Sequence, residues 1–145
     1  MSQLLVVDAS VVAKAFVQED LSAQARRLIE RLAALESEDA LDLYAPDFMW
    51  VECANVLWKY VTLYGYGLND AQADLIDLLA LAITPVPSSQ ILAGDAFRLA
   101  CTYKLPIYDT CYLALAQELG CQLVTADRKL LSAVADRLPV VFLGD

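Results

Sequence analysis

The sequence predicts an α/β domain in which a parallel sheet lies between two layers of helices. Two observations carry that expectation. Segments with strand patterning alternate with segments of helical patterning from end to end of the chain. The clearest strand segments, Leu4-Leu5-Val6-Val7 and Cys121-Gln122-Leu123-Val124-Thr125, are dominated by unbroken apolar runs, as strands covered on both faces require. The 145 residues contain no internal repeat, low-complexity stretch or linker, so 1–145 is expected to be a single domain.

The elements follow in order. After the first strand, Val11, Val12, Ala15 and Phe16 have helical spacing. Gln18-Glu19-Asp20 is a polar break. Leu21 to Leu35 repeats apolar residues at Leu21, Ala25, Leu28, Ile29, Leu32 and Leu35, with Arg26, Arg27, Glu30 and Arg31 on the wet side. Glu36 to Asp42 reads as an acidic linker, and Leu43-Tyr44-Ala45 as a short strand stopped by Pro46. Asp47 to Tyr64 is a long helix ended by Gly65 and Gly67, and Asn69 caps another through Leu81. Ile83 to Val86 contains Pro85, which places that strand at a sheet edge. Ser88 and Ser89 open a helix to about Tyr103. Pro106-Ile107-Tyr108 turns into a helix over Asp109 to Leu119, closed by Gly120. Arg128 to Ala135 is a short helix, and Val140 to Leu143 the last strand.

Composition removes several kinds of chemistry. Histidine is absent, which excludes a Ser-His-Asp triad, a Cys-His pair and imidazole-based zinc sites. The four cysteines, Cys53, Cys101, Cys111 and Cys121, form no C-x-x-C pair and lie in apolar contexts, so buried reduced thiols are expected. No G-x-x-x-x-G-K-[ST] loop occurs, and the first strand-to-helix turn has no glycine, against P-loop and dinucleotide-binding readings. An aspartyl-phosphate phosphatase needs a second Asp two residues after the first, where this chain has Ser10. No apolar run reaches the roughly 18 residues of a membrane span, and no signal pattern is seen, so a cytoplasmic protein is expected. The net charge of −9 opposes non-specific attraction to nucleic acid. The 59% hydrophobic content points either to two well-buried helix layers or to surface covered by a partner.

Four acidic residues stand out from this background. Asp8 ends the first strand, where open parallel sheets gather their chemistry. Asp127 follows the Leu123-Val124-Thr125 strand. Glu52 and Asp109 lie in apolar helical stretches with no basic residue beside them; Lys59 is seven residues beyond Glu52. Each has a simpler role available. Asp8, Asp109 and Asp127 could be helix caps, each worth about 1 kcal/mol, and Glu52 a solvated face residue. A carboxylate among apolar neighbours is costly unless paired or bound to a cation. Several carboxylates without histidine suit a hard, oxygen-preferring ion such as Mg²⁺ or Mn²⁺, which can drive phosphodiester hydrolysis.

The segments Val7-Asp8-Ala9-Ser10, Glu52-Cys53-Ala54-Asn55-Val56-Leu57, Tyr108 to Ala116 and Thr125 to Leu130 resemble, in order and spacing, the four signature segments of the PIN domain family. They span nearly the whole chain, and the short single-domain form resembles the VapC-type toxins of toxin–antitoxin pairs. The resemblance implies a sheet of strand order 3-2-1-4-5 and a Mg²⁺- or Mn²⁺-dependent endoribonuclease. It implies Asp8, Glu52, Asp109 and Asp127 as the metal-holding catalytic carboxylates, with Ser10, Asn55 and Thr125 as supporting polar groups. RNA is the implied substrate, a small cognate antitoxin the implied partner, and a homodimer the expected assembly. Lys14, Arg128 and Lys129 are the basic candidates for RNA phosphate contact, against a solvated-surface role. The competing reading is a PIN-like binding module, catalytically idle and held in a protein complex.

Overall fold

The computed structural model describes residues 3–33, 40–88 and 90–145. Among these, five strands form one parallel sheet: β1 (Gln3–Val7), β2 (Leu41–Pro46), β3 (Ile83–Val86), β4 (Gln122–Thr125) and β5 (Val140–Phe142). The order across the sheet is β3-β2-β1-β4-β5. In β1, Leu5, Val6 and Val7 are buried in succession, and in β4 Leu123, Val124 and Thr125 are too. Adjacent residues of a strand point to opposite faces, so the centre of the sheet is covered on both sides. β3 lies at the edge, where Pro85 can pair with Ala45 without leaving a central ladder short of a donor.

The helices are α1 (Ala9–Lys14), α2 (Ser22–Glu30), α3 (Met49–Tyr64), α4 (Leu68–Leu79), α5 (Ala93–Tyr103), α6 (Ile107–Leu119) and α7 (Arg128–Val134). Tyr112, Leu113, Ala114, Leu115 and Ala116 of α6 are all buried. A helix apolar all round belongs in a core, and α6 packs on β1, β2 and β4 on one side and on α5 on the other. α1 packs against α3, and α3 against α4.

Two features of this arrangement place the site. β1 pairs with β4 through Val6 opposite Leu123 and Val7 opposite Val124, although the two strands are far apart in sequence. The chain leaves β1 towards β2 on one side and returns to β4 on the other. Their carboxyl ends therefore flank the crevice at which the strand order reverses, where ligands settle in open α/β sheets.

Several boundaries differ from the sequence reading. α6 begins at Ile107, with Pro106 at its cap position, where the missing N–H costs no hydrogen bond. α3 begins at Met49, because the Asp47 carboxylate accepts the Ser88 hydroxyl at 3.0 Å instead of starting the helix. α4 is preceded by Gly67, and Asn69 lies inside its first turn. α5 begins at Ala93, after a turn in which the Leu92 N–H donates to the Ser88 carbonyl. α2 runs only to Glu30 and tightens into a 3-10 turn over Arg31–Ala33; Leu35 lies outside the described residues. Leu41 and Asp42, read as linker, already belong to β2, and residues 36–39 and Ser89 also lie outside the described residues. All four cysteines are free thiols, but Cys101 is exposed and Cys111 and Cys121 half-buried, because their helix and loop positions turn partly outward.

Candidate active site

Asp8 emerges from β1 into the β1–α1 turn and is 8% exposed. Its backbone N–H donates to the Val124 carbonyl, which ties the turn to β4. Both carboxylate oxygens are engaged. Oδ1 accepts the Ser10 hydroxyl at 2.5 Å and the Val11 N–H at 3.2 Å, and Oδ2 accepts the Thr125 hydroxyl at 2.5 Å. Ser10 and Thr125 extend the lattice outward: the Ala126 N–H donates to Ser10 Oγ at 3.1 Å and the Asp127 N–H to Thr125 Oγ1 at 3.0 Å. The two hydroxyls fix the Asp8 carboxylate and join the turns after β1 and β4. Asp127 in turn caps α7, its Oδ1 accepting the Lys129 N–H at 2.9 Å and the Leu130 N–H at 3.3 Å.

Glu52 enters from the first turn of α3 and Asp109 from the first turn of α6. The Tyr112 hydroxyl donates to Glu52 Oε1 at 2.6 Å, crossing from α6 to α3. Tyr112 is 2% exposed, and burial together with the Glu52 bond pushes its phenol well above the usual range, so it stays a donor. Phe48 packs edge-to-face between Tyr108 and Tyr112, at ring separations of 5.4 and 5.5 Å, and forms an aromatic wall.

All four carboxylates line one cavity of about 650 Å³, together with Ser10, Asn55 and the aromatic wall. Asp109 is the carboxylate that the charges of the others reach. Burial pushes Asp8 up to about 6, outweighing the Ser10, Thr125 and Val11 bonds, and the Asp109 charge adds to the rise. Burial and then the charges of Asp127 and Glu52 push Asp109 up to about 6. Burial raises Glu52 too, against the Tyr112 bond that lowers it. An all-oxygen set of mutually repelling carboxylates fits a hard divalent cation. Among the described residues no three such side chains are gathered closely enough to hold an ion as they stand. Cys53, beside Glu52, is buried and pushed up to about 12 by desolvation, so it is no thiolate nucleophile.

Of the predicted residues, Asp8, Ser10, Glu52, Asn55, Asp109 and Asp127 line the cavity, and Thr125 supports Asp8 from below. The predicted basic residues do not line it. Lys14 pairs with Glu19 at 2.7 Å, Arg128 lies over the Phe142 ring at 4.3 Å, and Lys129 is exposed. The lysine that does line the cavity is Lys59. Its signal was present in the sequence: Glu52, Asn55, Val56 and Lys59 follow the three- and four-residue spacing of one helix face. Tyr112 gave no such signal, because its neighbours make it look like one more core residue of α6.

The sequence model of the PIN domain matches residues 5–136. The chain is 33% identical over 139 residues to Ribonuclease VapC3 of Pyrobaculum aerophilum, covering 94% of this chain and 96% of that one. Its fold is similar to a crystal structure from Pyrobaculum aerophilum at TM-score 0.69 and 20% identity, over 99% of this chain and 92% of that one. It is also similar to a chain of a toxin–antitoxin complex from Klebsiella pneumoniae at TM-score 0.66 and 20% identity, over 96% of this chain and 97% of that one.

Proposed function

The chain belongs to the PIN domain family, and on that premise we propose that it is a metal-dependent endoribonuclease, the toxin of a toxin–antitoxin pair. The observation that carries this reading is the convergence of Asp8, Glu52, Asp109 and Asp127 on one cavity at the reversal of the sheet order. The name of the relative, Ribonuclease VapC3, supports the activity. The toxin–antitoxin complex among the similar folds is in keeping with the partner. Under this reading, 1–145 is one catalytic domain working in the cytoplasm.

Asp8, Glu52, Asp109 and Asp127 would hold Mg²⁺ or Mn²⁺. Such an ion supplies Lewis acidity, making water a better nucleophile near neutral pH and offsetting charge on the phosphodiester. The chain's own residues prepare the site. Ser10 and Thr125 hold both Asp8 oxygens in a fixed orientation. Tyr112 holds one Glu52 oxygen, and among the described residues no hydrogen bond engages the other. Asp109 and Asp8 compete for protons up to about pH 6, so the cation-ready form is the one present at neutral pH. Phe48 and Tyr108 give one side of the cavity an aromatic wall.

Purified chain is expected to cut RNA with Mn²⁺ or Mg²⁺ and to stop in excess EDTA, with Asp8→Asn inactive under all conditions. Cleavage that persists in EDTA and disappears in Asp8→Asn would refute the metal requirement. The net charge of −9 favours a second reading, an idle binding module. Absence of cleavage by the wild-type chain across RNA substrates with Mn²⁺, and growth unaffected by its expression, would select that one.

A further inference from the structure

The cavity of the four carboxylates stays open along α3. A second depression of about 360 Å³ continues from it, sharing Val56 and Lys59 and adding Glu19, Tyr60 and Tyr64. A third, of about 270 Å³, shares Tyr60 and reaches Arg26 and Tyr66. Glu52, Val56, Lys59 or Tyr60, and Tyr64 recur at helical spacing, so the track follows one face of α3. From Glu52 to Tyr64 it covers about 18 Å of helix axis, the length of a few extended nucleotides.

Two properties distinguish this track on an acidic chain. The first is charge. Only ten residues are basic, against nineteen acidic, yet Lys14, Arg26 and Lys59 all stand on it or beside it. Glu19 is the carboxylate lining its second depression, and Lys14 pairs with it at 2.7 Å while Tyr60 donates its hydroxyl to it. Arg26 donates to the Ala15 and Val17 carbonyls and to Gln18 Oε1, so among the described residues its hydrogen bonds go to neutral acceptors. Lys59 is exposed and makes no ion pair among the described residues. The second property is aromatic surface. Tyr60 and Tyr64 meet edge-to-face at 5.4 Å, and Tyr64 is 71% exposed. The track ends at Tyr66, whose hydroxyl donates to Asp74 at 2.5 Å.

Cations interleaved with open aromatic rings suit single-stranded nucleic acid, whose phosphates take the cations and whose bases stack on the rings. We infer that the Lys59–Tyr60–Tyr64 face of α3 is a subsite for the single-stranded RNA flanking the scissile phosphate. Lys59 contacts the backbone phosphate next to the carboxylates, and Tyr64 stacks a base farther out. The inference rests on the ribonuclease reading and adds to it where the strand lies.

The test is fluorescence anisotropy with an end-labelled oligouridylate of about ten nucleotides. The full chain carries Asp8→Asn so that the probe survives. Lys59→Gln is expected to weaken binding about tenfold at low salt and to reduce the salt slope by about one, with Lys59→Arg restoring both. Tyr64→Ala is expected to weaken binding at least about fivefold, whereas Tyr64→Phe retains it. Both positions are exposed, so these variants should fold. If the parent binds and both Lys59→Gln and Tyr64→Ala bind equally well, the subsite is overturned and the ribonuclease reading stands. If the parent does not bind and the wild type cuts no RNA with Mn²⁺, both fall. Unchanged RNA affinity, with loss of a co-purifying protein from Lys59→Gln, assigns the face to that protein and overturns the proposal.

Discussion

Asp109 shows the electrostatic conflict of the cavity most openly. It is half-buried, faces Asp127 and Glu52, and among the described residues accepts no side-chain hydrogen bond. Its folded-state pKa of about 6 lies above the ordinary 3.8. The folded chain therefore holds this proton more tightly than the unfolded chain does. The resulting destabilisation is absent below about pH 4, grows as pH rises between the two values, and is full above about pH 6. Asp109→Asn should thus stabilise the metal-free chain at neutral pH by about 1 kcal/mol or more. The advantage should vanish near pH 4. The same change removes a proposed ligand, so Mn²⁺ should stabilise the variant less than the parent. Thermal melts with EDTA and with Mn²⁺ at both pH values read the two opposite signs. A metal-induced shift equal to the parent's would take Asp109 out of the ion site. The acidic residues are legible because carboxylates stand out among apolar neighbours, but cap and site are not alternatives here. Asp8 and Asp127 cap their helices with one oxygen while lining the cavity, and Asp109 is no cap because Pro106 occupies that position.

At the scale of elements, the cavity depends on α3 and α6 being held in register, and the Tyr112–Glu52 bond joins them at 2.6 Å. Tyr112→Phe keeps the ring against Phe48 and removes only that bond. It should cost about 1 kcal/mol or more at neutral pH, because a bond to an ionised acceptor is lost. It should also raise the Glu52 pKa further, since the bond opposes the effect of burial. The acid limb of the cleavage profile is therefore expected to move to higher pH in this variant. A profile that coincides with the parent's would mean that Glu52 ionisation does not limit the reaction. The strands were easier to read than the helix starts. β1 and β4 announce themselves as apolar runs because both their faces are covered. The starts of α3 and α5 depend on a tertiary bond, Ser88 to Asp47, that local sequence does not show. The interior of α6 hides Tyr112 because a buried tyrosine with a polar task looks like packing until its partner is located.

For the whole molecule, the parallel sheet followed from alternation alone, whereas the strand order needed the family resemblance, since apolar runs do not say which strand lies beside which. The surface carries the remaining unexplained part of the 59% hydrophobic content. Trp58, Leu68, Ile76 and Leu79 on α3 and α4 are each more than half exposed, and so is Phe97 on α5. A groove lined by Leu57, Trp58, Leu68 and Leu75 runs between α3 and α4, and Asp70, Asp74 and Asp77 lie along the same helix α4. Apolar area of this kind left in water is expected to lie at an interface, and a stable one buries about 1,200–2,000 Å² in total. One face can serve a second copy of the chain, and the acidic flank favours a partner segment rich in Lys and Arg. The chain is therefore expected to sediment as a homodimer at tens of micromolar and to co-purify from its native host with a small polypeptide carrying a basic segment. High salt should loosen that polypeptide more than it loosens the dimer, because exposed charge pairs are screened and buried apolar contacts are not. A chain that sediments as a monomer and brings down no partner would mean that these exposed residues are ordinary surface. The toxin–antitoxin assignment would then fail, although the carboxylate cavity and its chemistry would be untouched.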